Sequence, residues 1–283
     1  MKFVSYAGPS GPGYGLLNGA GVVALDGRLP ARDLKALVGL GLDAARPWAK
    51  AAPDFALAAV TLLPPIANPS EILCVGINYD DHRAETGRQK SDYPTIFTRF
   101  ADTLIADGRA LVRPAASTML DYEGELAVII GKGGRNIPAS RSIEHVAGYS
   151  CFNDASVRDW QRHTSQFTPG KNFPATGGFG PALVSADEVG DPQSLKLTTR
   201  LNGQVMQEAT TDQMIFKVAD IIAYVSAFTR LEPGDVIATG TPGGVGQARN
   251  PPVFLAPGDT VEVEISKVGK LTNTVAVDTL PCS

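Results

Sequence analysis

Glu123 and Glu125 stand two residues apart at the start of the apolar run Leu126-Ala127-Val128-Ile129-Ile130. Alternate residues of a strand face the same way, so this spacing predicts two carboxylates side by side. Such groups at the head of a hydrophobic strand repel unless a positive charge lies between them. A hard divalent cation on oxygen ligands answers that need, and Mg²⁺ or Mn²⁺ suits the ligand type better than Zn²⁺. By itself, a Glu-x-Glu pair is more often a solvated strand face. A third acid, Asp154, ends the strand-like run 149–153. An Asp in that position also reads as a helix cap. Added to the two glutamates, it completes a three-carboxylate set with positions open to water and a chelating substrate.

His82 and Glu85 supply a candidate base. On a helical turn, i and i+3 share a face, so the carboxylate can hold and polarise the imidazole. A surface His-Glu pair is usually inert, yet the other two histidines, His145 and His163, have no comparable setting. Lys171, preceded by Gly170 and followed closely by Phe173, reads as a desolvated cation that would serve a carbanion or enolate, although most lysines are solvated. The glycine-rich stretch 239–246 lacks the Lys-Ser/Thr ending of a nucleotide-binding loop. Its amides and the Thr241 hydroxyl are expected to meet a substrate carboxylate.

These residues need a scaffold. Residues 1–68 read as a small β-rich domain with one helical pattern at 31–49, ending at Pro64-Pro65. Residues 69–283 form the larger domain, in which short Val/Ile/Leu strands alternate with tight turns. Glu232-Pro233-Gly234-Asp235 and Ala256-Pro257-Gly258-Asp259 each launch a strand. One long helix is predicted at 212–228, with Met214, Ile215, Val218, Ile221, Ile222 and Val225 at helical spacing. The predicted fold class is mixed β with few helices (α+β), not a doubly wound sheet.

Composition narrows the function further. A net charge of −4 over 283 residues offers no general attraction to nucleic acid or to an anionic membrane. No apolar run approaches the ~20 residues of a membrane span. The start of the chain lacks the apolar core of a secretory signal, so a cytoplasmic location is expected. Cys74, Cys151 and Cys282 lack metal or redox spacing and read as reduced, two in strands and one in the tail.

Over roughly residues 70–278 the chain resembles the fumarylacetoacetate hydrolase family. The resemblance is carried, in the family's order, by Val75-Gly76-Ile77-Asn78-Tyr79-Asp80-Asp81-His82 continuing to Glu85, the DYEGELAVIIG segment at 121–131, and the NDxSxRDxQ segment at 153–161. Gly170-Lys171 and the TGTPxGVG loop at 239–246 complete it. It implies a β-roll catalytic domain, a homodimer, and Mg²⁺ or Mn²⁺ on Glu123, Glu125 and Asp154. It also implies that His82 and Glu85 sit on a mobile segment that orders over the substrate, and that Tyr79, Arg158, Gln161, Lys171 and Thr241 contact substrate. Arg99 stands where many relatives carry a lysine. The implied reaction is hydrolysis of a carbon–carbon bond in a 2,4-dioxo acid such as an acylpyruvate or fumarylpyruvate. In that reaction His82, assisted by Glu85, deprotonates water, and Lys171 stabilises the carbanion. The same scaffold implies two alternatives, decarboxylation of an oxaloacetate-like 2-oxo acid and isomerisation of a hydroxymuconate-type diene. The rival from another class is a non-catalytic metal- or ligand-binding protein, opposed by the presence together of base, lysine and metal ligands.

Overall fold

The run 126–130 has no polar position, so as a strand it requires apolar cover on both faces. In the computed structural model, which describes residues 1–9 and 11–278, the strand Gly124–Ile130 is buried along its whole length. Leu126, Val128 and Ile130 pack with Leu197, Val263 and Ile265 of a second sheet and with Ile221, Ile222 and Val225 of the helix Val218–Phe228. Ala127 and Ile129 face the other way, onto Phe3, Val23, Leu34 and Leu37.

The larger sheet runs in the order Phe55–Ala56, Gly21–Ala24, Gly11–Asn18, Lys2–Gly8, Gly177–Ser185, Val146–Asp154, Gly124–Ile130, Val236–Ala238, Ile72–Gly76, Thr95–Thr98. The smaller runs Gln204–Thr210, Lys196–Leu201, Thr260–Ile265, Gly269–Val277, Leu111–Arg113. Most neighbours are antiparallel, but Val236–Ala238 runs parallel to Ile72–Gly76. The fold is thus mixed β with few helices, as the patterning predicts. The N-terminal strands continue the larger sheet: Lys2–Gly8 pairs with Gly177–Ser185 through Phe3 and Leu183. The helix Leu34–Leu40 that follows them supplies Leu34 and Leu37 to the cover over Ala127 and Ile129.

The long helix is shorter than its apolar periodicity predicts. It forms as Val218–Phe228, with only a 3-10 turn at Thr211–Gln213 before it. Asn78 is a cause: its carbonyl accepts the Ile215 N–H at 2.8 Å and its Oδ1 accepts the Phe216 N–H at 2.7 Å. Gln193 Oε1 takes the Val218 N–H at 2.8 Å. Backbone donors satisfied from outside need no preceding helical turn. Both Pro-Gly-Asp turns end where expected, before Val236–Ala238 and Thr260–Ile265. Cys74 and Cys151 are free and buried, and Cys282 lies outside the described residues. Among the described residues, no helix is long and apolar enough to cross a membrane.

Candidate active site

Strand register assembles the three carboxylates. Pairing of Gly124–Ile130 with Val146–Asp154 sets Gly124 opposite Asn153, which brings Asp154 beside Glu123. The Asp154 N–H donates to the Glu123 carbonyl at 2.8 Å, and the Glu123 N–H donates to Asn153 Oδ1 at 3.0 Å. Gly124 lies so close to the second sheet that a Cβ there would sit 2.1 Å from Thr199 Oγ1. With Gly124 facing that sheet, Glu123 and Glu125 turn to the opposite side. Glu123, Glu125 and Asp154 are all buried, each with a carboxylate oxygen within 4.8 Å of the others'.

Buried carboxylates require partners. Lys171 Nζ donates to Glu123 Oε2 at 2.6 Å and to Asp154 Oδ2 at 2.5 Å. Arg99 Nη1 reaches Asp154 Oδ1 at 2.5 Å. Arg158 joins Glu123 Oε1 at 2.6 Å to Asp121 Oδ2 at 2.9 Å. Glu125 forms no ion pair among the described residues; its Oε2 accepts the Gly240 N–H at 2.8 Å. Four buried acids (Asp121, Glu123, Glu125, Asp154) therefore meet three buried cations (Arg99, Arg158, Lys171), and the uncompensated charge rests on Glu125.

The titration of these groups follows from that arrangement. Burial, then repulsion from Asp154 and Glu123, pushes the Glu125 carboxyl well above its ordinary value. For Glu123 burial acts upward too, but Lys171 and Arg158 outweigh it and hold the carboxyl at about 2. Burial acts to lower the Lys171 ammonium, while Asp154 and Glu123 keep it above its ordinary value. An oxygen-only donor set with one unmatched negative charge and convergent ligand atoms fits a hard divalent cation held by Glu123, Glu125 and Asp154.

The helix Asp80–Glu85 carries the candidate base. His82 Nδ1 lies 2.7 Å from Glu85 Oε1, the i and i+3 contact that the spacing predicts. Glu85 Oε2 accepts the Gly244 N–H at 2.8 Å, so the carboxylate is fixed at both oxygens. With Nδ1–H donated to Glu85, neutral His82 keeps a lone pair on Nε2. The segment implied to be mobile is helical here, and His82 is only 5% exposed.

The glycine-rich loop departs from expectation. Its amides serve the protein's own acids: Gly240 donates to Glu125, Gly244 to Glu85 and Gly246 to Asp121, each at 2.8 Å. Gly240 and Gly244 adopt φ of 99° and 98°, a conformation that favours glycine. The Thr241 hydroxyl donates to the Gly124 carbonyl at 3.0 Å and accepts from Gln207 Nε2 at 2.8 Å. The loop buttresses the acids, and these amides are already spent before any substrate carboxylate arrives.

One cavity of about 410 Å³ is lined by His82, Glu85, Glu123, Glu125, Arg158 and Lys171, and also by Gln161 and Thr241. Tyr79, expected at the substrate, is not among its lining residues. It packs in the core with Leu73, Leu126 and Met214, because the backbone at Tyr79 bridges to Met214 and draws the ring inward. Arg158 uses Nε and Nη1 on Asp121, Glu123 and Gln161, leaving its buried Nη2 without a partner among the described residues. Lys171 ends the short helix Thr168–Lys171, where a Cβ on Gly170 would lie 2.4 Å from the Gln161 nitrogen. Sequence reasoning gave no role to Asp121 or to Arg99 as a partner of Asp154. The available signal was a lone cation in the apolar stretch Ile96-Phe97-Thr98-Arg99-Phe100, which must find an acid if buried.

A buried carboxylate cluster suited to a divalent cation, sharing a cavity with an imidazole–carboxylate pair on a two-layer mixed-β scaffold, defines the class of site. The chain belongs to the fumarylacetoacetate hydrolase family: residues 71–276 match the model for the fumarylacetoacetate (FAA) hydrolase C-terminal region. Residues 1–65 match a model described as Rv2993c-like, N-terminal. The chain is similar to the human protein named oxaloacetate tautomerase FAHD2A, mitochondrial, with 42% identity over 288 residues, 97% of this chain and 91% of that protein. Its fold is similar to that of the fumarylacetoacetate hydrolase from psychrophilic Exiguobacterium antarcticum, at 33% identity and a TM-score of 0.84, covering 98% of this chain and 100% of that one. It is also similar to the maleylpyruvate hydrolase from Sphingobium sp. SYK-6 in complex with manganese(II) ion and pyruvate, at 27% identity and a TM-score of 0.83, covering 99% and 100%.

Proposed function

We propose that this protein, as a homodimer loaded with Mg²⁺ or Mn²⁺, interconverts the keto and enol forms of a small 2-oxo diacid of the oxaloacetate type. The observation that carries this reading is the His82–Glu85 pair in the same cavity as Glu123 and Glu125. Moving a proton between carbon and oxygen needs one positioned base and a means of stabilising charge on oxygen. Identity of 42% to a tautomerase over nearly the whole chain adds support.

Glu123, Glu125 and Asp154 are the residues that would hold the ion, which when bound supplies a Lewis acid for charge developing on the 2-oxo oxygen. Glu85 holds His82 Nδ1–H, so Nε2 is the basic nitrogen. Nε2 takes the proton from carbon 3, and the imidazolium formed is stabilised by Glu85. His82 then delivers that proton to the oxygen on carbon 2, completing the enol, and the reverse reaction uses the same path. Lys171 and Arg158 keep Glu123 ionised, and Arg99 and Lys171 balance Asp154. The near-complete burial of His82 limits competing exchange with water.

Hydrolysis, which the motif resemblance implies, would direct the same base at water, and the likeness to maleylpyruvate hydrolase supports it at lower identity. Labelled solvent separates the two. With Mn²⁺ and oxaloacetate, the enol absorbance should relax faster in proportion to enzyme, without CO₂ release. Acylpyruvate cleavage that places oxygen from labelled water in a carboxylate product, with no acceleration of the oxaloacetate equilibrium, would refute the tautomerase reading in favour of hydrolysis.

A further inference from the structure

A 2-oxo diacid carries a second carboxylate, distal to its 2-oxo acid end, and that group needs a cation not already spent on the protein's own acids. Arg88, Arg158, Arg162 and Lys171 line the cavity. Arg158 is committed to Asp121 and Glu123, and Lys171 to Glu123 and Asp154. Arg88 and Arg162 form no ion pair among the described residues, and both are exposed. The Arg88 guanidinium stands 5.8 Å from the centroid of the Phe167 ring, another residue of the cavity wall. An aromatic face orients a guanidinium while leaving its N–H edge for a carboxylate. Arg162 directly follows the helix Arg158–Gln161, and its N–H is tied to the Asp159 carbonyl at 3.1 Å. Arg88 also lines a neighbouring cavity of about 440 Å³ that shares Gly76, Ile77 and Phe167 with the first and adds Lys90. An anion approaching on that side meets positive charge first.

We propose that Arg88 and Arg162 hold the distal carboxylate of the substrate and so select 2-oxo diacids over monoacids. The inference rests on the reading of this site as one for 2-oxo acids and names the residues that set its specificity. Because the distal carboxylate keeps its charge throughout the reaction, the two arginines act on ground state and transition state alike. Their loss should appear in KM and leave kcat nearly unchanged.

Malate and lactate are 2-hydroxy acids that differ by the distal carboxylate and lack the 2-oxo group, so their binding can be measured without turnover. Calorimetry on the full-length, Mn²⁺-loaded protein at fixed ionic strength should show malate binding about tenfold more tightly than lactate, the scale for two exposed charge contacts. In the Arg88→Gln/Arg162→Gln double variant that preference should vanish, with lactate and Mn²⁺ affinities unchanged, and the Lys double variant should restore part of it. Equal affinities in the wild type, or a malate preference that survives the double Gln variant, would overturn the proposal. A malate preference that behaves as expected in a protein that enolises no 2-oxo acid would uphold the clamp and sink only the reaction proposed above.

Discussion

At the cavity floor, which Glu123 lines, and just beneath it, where Asp154 lies, both oxygens of Glu123 and both of Asp154 meet buried cations, through Lys171, Arg158 and Arg99. Along the helix Asp80–Glu85 the pattern is different: His82 has one carboxylate partner, and its second nitrogen has no protein partner among the described residues. The contrast suits the role proposed for each group. A residue that holds an ion has to keep its charge, and the surrounding cations hold Glu123 ionised to about pH 2. A residue that moves a proton has to change its charge during every turnover, which a dense field of fixed cations would prevent. Three of the floor pairs join residues 48, 55 and 17 positions apart, while the helical pair spans 3.

Three measurements put this division at risk. Asp154→Asn removes a floor charge while keeping its shape, and Mn²⁺ affinity should fall by more than about a hundredfold, since even outer-shell partners of metal ligands are worth up to that much. The hydrogen-bonded signature of His82 with Glu85 in proton NMR should be unaltered. Should Mn²⁺ bind Asp154→Asn as it binds the wild type, the ion is held elsewhere. Next, His82→Gln should lower kcat by about 10²- to 10⁴-fold, the usual worth of a general base, and leave Mn²⁺ affinity as it was. A kcat that survives this change would show that the proton moves through some other group.

The smallest effect concerns Glu125. Its folded-state carboxyl titrates above the ordinary 4.5, so the folded protein holds that proton more tightly than the unfolded chain does. The stabilisation is fully present below 4.5 and is lost as pH rises through the raised value. Glu123 has the opposite sign: its contribution is present above 4.5 and is lost as pH falls toward about 2. Metal-free protein should therefore lose stability as pH climbs above 4.5, measured as the urea midpoint in the presence of chelator. Mn²⁺ or the substitution Glu125→Gln should flatten that slope. An unchanged slope in Glu125→Gln would assign the uncompensated charge to another residue.

Local pattern was enough to determine several features. Period-two spacing put Glu123 and Glu125 on one face, helical spacing paired His82 with Glu85, and Pro-Gly-Asp turns located two strands. Each of these depends on residues within a turn or a strand pair of one another, where backbone geometry alone fixes direction. Motif order carried Asp154 and Lys171 into the site, though neither residue's partners could be read from it. What only the tertiary structure decided were contacts between distant segments. Arg99 became the counter-ion of Asp154, the amides of Gly240, Gly244 and Gly246 turned to resident acids, and Tyr79 went to the core. Asn78 likewise drew residues 215 and 216 out of helical bonding and shortened the long helix. Tyr79, whose buried hydroxyl has no partner among the described residues, follows apolar packing. For Arg99, the loop amides and Asn78 the physical reason is the same: a buried polar group must be satisfied by whatever the fold brings near it, and sheet register across the chain, not neighbouring sequence, determines what that is.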